Sequence, residues 1–181
     1  MGIESKHPYY TEAAQQWSRI RDSYKGNDAI KKQGEAYLPK LSGQDKDQYE
    51  AYKLRAVYYN GIERTVKGLI GAVMRIEPIV DAPDKIKAWL NDITGTGITF
   101  NDFVSYLLSE QLLMGRQGIL IDRSEERPYL TGYATEQITN WIDDAVVLQE
   151  TYRKIDPKDP YMSEYDIQYR ELTKDEDGNY V

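Results

Sequence analysis

Asp122 and Arg123 close a short apolar run, Gly118-Ile119-Leu120-Ile121, and a polar turn, Glu125-Glu126-Arg127-Pro128, follows. A carboxylate at a strand end can serve as a general base. Glu110 or Asp143, from a neighbouring element, would supply the second acid of such a site. The other ingredients of catalysis are sparse. The 181-residue chain has no cysteine, which excludes disulfides and thiolate metal sites. Its one histidine, His7, stands beside Pro8 in a segment read as an arm, so multi-histidine sites are excluded and a histidine-based triad has little support. Gly95-Thr96-Gly97 lacks the third glycine and the preceding strand of a phosphate-binding loop, and reads as a linker. A calcium loop centred on Gly178 would need an acid where Thr173 stands. The expectation is therefore no metal, no cofactor and no enzymatic activity, with a small enzyme using Asp122 as a minor alternative.

Charge narrows the classes further. The chain carries 30 acidic and 23 basic residues, a net charge of −7. Nucleic-acid binders usually show a basic footprint, because phosphate neutralisation supplies most of their affinity. The nearest equivalent is Arg19, Arg21, Lys25, Lys31, Lys32 and Lys40, offset by Asp22, Asp28 and Glu35. That pattern reads as a solvated helix face. Apolar runs are short and broken by charge, and no apolar signal segment opens the chain, so the default is a soluble intracellular protein. At this length a substantial core is possible, since folding buries roughly 70% of the unfolded surface.

The elements that must position Asp122 fall into two halves. Ala13, Ala14, Trp17, Ile20 and Tyr24 recur at helical spacing between Thr11 and Tyr24, and Gly26 suits a helix end. A short helix is expected near residues 28–33. A long helix of about eight turns is expected next, capped by Ser42 with Asp45, its inward face carrying Tyr49, Tyr52, Ala56, Tyr59, Ile62, Val66, Leu69, Ile70 and Val73. Pro83 opens a further helix with Ile86, Trp89, Leu90 and Ile93. Thr99 with Asp102 caps another, which points Phe100, Phe103, Val104, Leu107, Leu108 and Leu112 inward and stops at Gly115. From Gly118 onward the pattern changes to strands. Gly118–Ile121 reads as buried, Tyr129–Thr131 as a second short strand, and residues 135–138 as one helical turn. Ala145–Arg153 is rich in strand formers, and Tyr165, Ile167 and Tyr169 alternate with polar residues. Asp177-Gly178 signals a hairpin turn with Tyr180-Val181 beginning a return strand, so the natural protein is expected to continue.

The order of these motifs resembles that of tailed-bacteriophage portal proteins. The resemblance is carried by Trp17-Ser18-Arg19-Ile20-Arg21-Asp22, by Gly34-Glu35-Ala36-Tyr37-Leu38-Pro39-Lys40, and by Arg64-Thr65-Val66-Lys67-Gly68-Leu69-Ile70-Gly71 with Met74-Arg75 and Pro78. It continues through Gly97-Ile98-Thr99-Phe100-Asn101-Asp102-Phe103, the stretch Leu113–Asp122, Arg127-Pro128-Tyr129-Leu130, and Ile138-Thr139-Asn140-Trp141. The match runs from about Trp17 to Tyr180 and is similar to the N-terminal wing region.

The fold expected is α+β, with N-terminal helices packed on a small, mostly antiparallel sheet. Residues 1–41 would form an arm with short helices, 42–115 the helical part of the wing, and 116–181 its β-rich part. The resemblance implies a homo-oligomeric ring, typically of twelve subunits, at a capsid vertex. Its partners would be capsid, terminase and head-completion or adaptor proteins. Double-stranded DNA would pass through the channel without sequence-specific binding. The place would be the virion, and the host cytoplasm during assembly. Stem, clip and crown lie outside this stretch. The alternative is a phage interaction or adaptor module. In either case the contact residues are sought among the sixteen tyrosines and the tryptophans, with Tyr9, Tyr10, Trp17, Tyr58 and Tyr161 as candidate subunit contacts.

Overall fold

A computed structural model describes residues 2–125, 127–155, 159 and 161–178. The order of elements is α1 (Pro8–Lys25), α2 (Asn27–Lys32), α3 (Lys46–Arg55), α4 (Gly61–Val73), α5 (Asp84–Lys87), α6 (Phe100–Met114), β1 (Gln117–Arg123), β2 (Pro128–Ala134), β3 (Ile138–Ile142), β4 (Ala145–Ile155) and β5 (Ser163–Thr173). This is an α+β fold, as the periodicities predict. The strands are antiparallel but form two sheets in place of the single one expected. One is the β1–β2 hairpin and the other has the order β3-β4-β5. The return strand expected at Tyr180-Val181 lies outside the described residues, as does Glu126 of the polar turn.

Helix α1 starts at Pro8, earlier than the periodicity predicts. His7 is its N-cap, and the ring Nδ1 accepts from the Tyr9 amide at 3.2 Å. The His7 amide donates to the Thr139 carbonyl at 3.0 Å, and its ring stacks on Trp141 with centroids 4.0 Å apart. The segment read as an arm is thus fastened to β3. Tyr10, Ala13 and Trp17 are buried along one face of α1, with Ala14, Met114 and Trp141 packed against them.

The expected eight-turn helix is two helices. Asp45 and Gln48 form the capping box of α3, rather than Ser42 and Asp45. The chain leaves the helix at Ala56, and Val57-Tyr58-Tyr59 are weak helix formers. Asn60 then begins α4, its side-chain oxygen accepting from the Glu63 amide at 3.0 Å. The side-chain amide of Asn60 donates to the Tyr24 carbonyl, and the Tyr58 backbone amide donates to Asn27 Oδ1. These bonds tie the break to the end of α1 and the start of α2. Tyr49 is buried as expected, but Tyr59, expected to face the core, is 73% exposed.

Helix α6 follows its predicted cap. The Thr99 hydroxyl accepts from the Asp102 amide, and Gly115 ends the helix at φ 71°, a left-handed position that suits glycine. Its inward face is only partly the expected one. Phe103, Glu110 and Leu113 are buried, while Leu112 is exposed. Helix α6 lies against β1, and the aromatic rings of Phe103 and Tyr106 reach Gly132 of β2. Strand β1 is not buried on both faces as its apolar run predicts. Ile119 and Ile121 are exposed, alternating with half-buried Gly118 and Leu120.

Gly132 shows how closely this layer packs. A Cβ there would meet Tyr106 Cε1 at 2.8 Å and Phe103 Cε2 at 3.3 Å. Gly132→Ala is expected to cost about 1–3 kcal/mol through overpacking. A Cβ at Gly68, in the interior of α4, would meet nothing within 4 Å, so Gly68→Ala is expected to gain about 0.5–1 kcal/mol. Urea melts of both variants beside the parent check the pair, and a neutral Gly132→Ala would contradict the packing argument.

Candidate functional site

Asp122, the carboxylate at the strand end, is committed to a fixed set of donors. Arg170 of β5 donates to its Oδ2, the Tyr129 hydroxyl donates to the same oxygen at 3.2 Å, and the Arg123 amide donates to Oδ1 at 2.8 Å. The hydrogen bond from Arg170 outweighs desolvation and holds the carboxyl below its usual range. Arg170 also reaches Glu150 at 3.0 Å, and Glu150 accepts from the Tyr133 hydroxyl at 2.6 Å and from the Gln168 side-chain amide at 2.6 Å. Burial pushes the Tyr133 hydroxyl well above its ordinary value, and its bond to Glu150 adds to this. The partners of Asp122 are therefore Arg170 and Tyr129, in place of the expected Glu110 or Asp143. The arrangement joins the two sheets through an ion-paired network and holds Asp122 ionised.

Glu110 belongs to a second knot. Arg21 donates to both of its oxygens and to both oxygens of Glu136, with the Nε–Oε1 bond to Glu136 at 2.7 Å. This fork-to-carboxylate geometry suits arginine particularly well. It fastens α1 to α6 and to the 3-10 turn Thr135–Gln137. The local charge pattern puts Arg21 and Asp22 on a solvated face. The structure turns both inward, and Asp22 is buried, accepting from Gln33 Nε2 at 3.0 Å and from the Tyr37 hydroxyl at 2.9 Å.

Arg116 forms a third fixed point. Its guanidinium lies 4.2 Å from the Trp141 ring centroid and 5.6 Å from that of Trp17. It donates to the Thr135 hydroxyl and to the carbonyls of Thr135 and Ile138. Burial lowers its proton affinity. In the sequence Arg116 stands only in a helix-to-strand junction. The spacing of Trp17, Arg116 and Trp141 along the chain carries no sign that they meet.

The candidate contact residues separate into two groups. Tyr10 and Trp17 are interior, 8% and 5% exposed, and pack edge-to-face on one another at 5.1 Å. Their apolar surface is thus covered within this chain. Tyr9 is 53% exposed and Tyr161 is 94% exposed, while Tyr58 is half-buried. Tyr58 borders an open groove with Tyr59, Ile62, Val66, Leu69 and Leu112. Along the same helix and just beyond it, Val73, Ile76 and Ile79 are exposed. Among the described residues, no group of three or more His, Cys, Asp or Glu side chains is placed to hold a metal ion. No described helix is long and apolar enough to cross a membrane. The Gly95-Thr96-Gly97 linker folds back as a turn: the Gly97 amide donates to Asp92 Oδ1, and the Arg127 guanidinium holds Asp92 Oδ2 at 2.7 Å.

No protein-family model matches the chain, and no curated protein matches it either.

Proposed function

We propose that the chain is a structural segment of a portal-like subunit, corresponding to the N-terminal wing of a ring at a phage capsid vertex. The observation that carries this reading is the apolar surface outside the core. Only Val66 of α4 is buried, while Ile62, Leu69 and Val73 of the same helix, with Ile76 and Ile79 beyond it, meet solvent. Exposed apolar patches of this kind mark interaction surfaces. The order of sequence motifs supports the same assignment. So does the way the polar residues are used, since Asp122, Glu110 and Glu136 all serve as anchors between elements. In this reading, capsid, terminase and head-completion proteins are the ring's partners. DNA slides past an acidic chain that offers phosphates little to hold.

Negative-stain electron microscopy of the protein expressed from its whole reading frame tests the proposal. Rings with a central hole are the expected result. Uniform monomers across a range of concentration and salt would overturn it. They would favour an interaction module whose apolar face is covered by a different protein.

A further inference from the structure

The β4–β5 hairpin is the second surface left without a partner. Its inner end joins β3 and the Asp122 network, but residues 151–155 and 164–168 are exposed on both faces. The register pairs Ile155 with Ser163, Arg153 with Tyr165 and Thr151 with Ile167, so these six residues share one face. On that face Ile155, Tyr165 and Ile167 are 55%, 69% and 57% exposed. A two-stranded ribbon is marginal in water and needs a third layer against one face. Among the described residues, the outer half of the hairpin makes no hydrogen bond or ion pair to any helix.

The α4 face offers the complementary chemistry. Ile62, Leu69 and Val73 follow helical spacing along one stripe of α4, and exposed Ile76 lies just beyond its end. From Glu50 to Glu77 there are five basic residues and three acidic, with Lys53 and Lys67 paired to Glu50 and Glu63. Between Ile142 and Gly178 there are eleven acidic residues and five basic. An apolar stripe in a mildly basic setting and an apolar ribbon in an acidic one attract each other and repel their own kind.

We infer that the β4–β5 hairpin of one copy docks on the α4 face of the next. The inference rests on the ring reading and names its subunit contact. Because the two patches differ, the contact is heterologous, and repetition gives a ring if the rotation closes and a filament if it does not. The hairpin gains its third layer, and the α4 stripe is covered without any further segment of its own chain.

The absence of cysteine makes a clean test possible. Val73→Cys and Ile167→Cys are made separately and together in the full-length protein, and each sample is oxidised and imaged by electron microscopy. Both positions are exposed, so neither substitution disturbs the core. The expected result is disulfide-linked dimers when the two single variants are mixed, and a ladder of multimers from the double variant. Each single variant alone should stay monomeric on a denaturing gel. Val73→Cys linking only to itself would overturn the inference in favour of a symmetric contact. Rings that form without any mixed cross-link would also overturn it, while leaving the ring reading intact. A ladder from particles that never close would support the contact and overturn the ring.

Discussion

Arg21→Ala is expected to destabilise the fold by about 3–5 kcal/mol, the range for removing one partner from a buried ion pair. The Glu110 side chain is only 8% exposed and loses the donors to both of its oxygens, with the second carboxylate, Glu136, left beside it. Surface pairs contribute about 0–1 kcal/mol, so the size of the effect separates a buried anchor from an ornament on a helix face. Urea unfolding at neutral pH is the measurement, and a loss below about 1 kcal/mol would refute the anchoring role. The pH dependence follows from the same contacts. Burial pushes the Glu136 carboxyl up, but the hydrogen bond and charge of Arg21, with a backbone hydrogen bond and the charge of Lys25, together outweigh it and the net shift is downward. Asp122 is also shifted down, chiefly by Arg170. A carboxyl whose folded value lies below its unfolded value contributes fully above the unfolded value, near about 4. That contribution fades as the pH falls through the folded value. The parent should therefore lose stability on acidification below about pH 4. Arg21→Ala should lose less over that interval, because the main interaction that depressed Glu136 is already gone.

Trp17→Ala is expected to cost a similar amount, about 3–5 kcal/mol, as large aromatic truncations in cores do. The Trp17 ring fills the space between Tyr10, Tyr9 and the Arg116 guanidinium, and little of it meets solvent. Its loss leaves a cavity and removes one of the two rings that face a partly buried cation. The result should appear as a lower melting temperature at every protein concentration. A variant that melts like the parent when dilute, yet fails to assemble, would return Trp17 to the role of a subunit contact.

The parts of the fold that are legible in the sequence are those determined by neighbouring residues. Thr99, Asp102 and Gly115 set the ends of α6 by local hydrogen bonding and by a left-handed glycine. The alternation of Tyr165, Ile167 and Tyr169 marks β5, and Pro128 to Ala134 forms the strand that the shorter run at Tyr129 announces. What is hidden depends on distant groups. The break between α3 and α4 is stabilised by the Tyr24 carbonyl and by Asn27, which no window around Asn60 contains. Arg21 and Asp22 fit a solvated face by local pattern, yet their partners stand at positions 110, 136, 33 and 37. Asp122 gives the same lesson. Its chemistry is set by Arg170, 48 residues away, rather than by the adjacent Arg123 side chain.

The seating of α1 has a consequence for synthesis. His7 and Tyr10 bond to Thr139 and Glu136, Asn140 reaches back to the Ser5 carbonyl, and Trp141 closes the stack over Arg116. A ribosome adds about 5–20 residues per second, so α1 waits for roughly 6–25 seconds between its own emergence and that of Trp141. Throughout that interval the apolar face of the first helix lacks Trp141 and β3, which complete its native cover beside Met114. The opening of the chain is thus among the last parts to be locked, and nascent chains halted before Trp141 should leave α1 open to proteases and to chaperones that bind apolar helices.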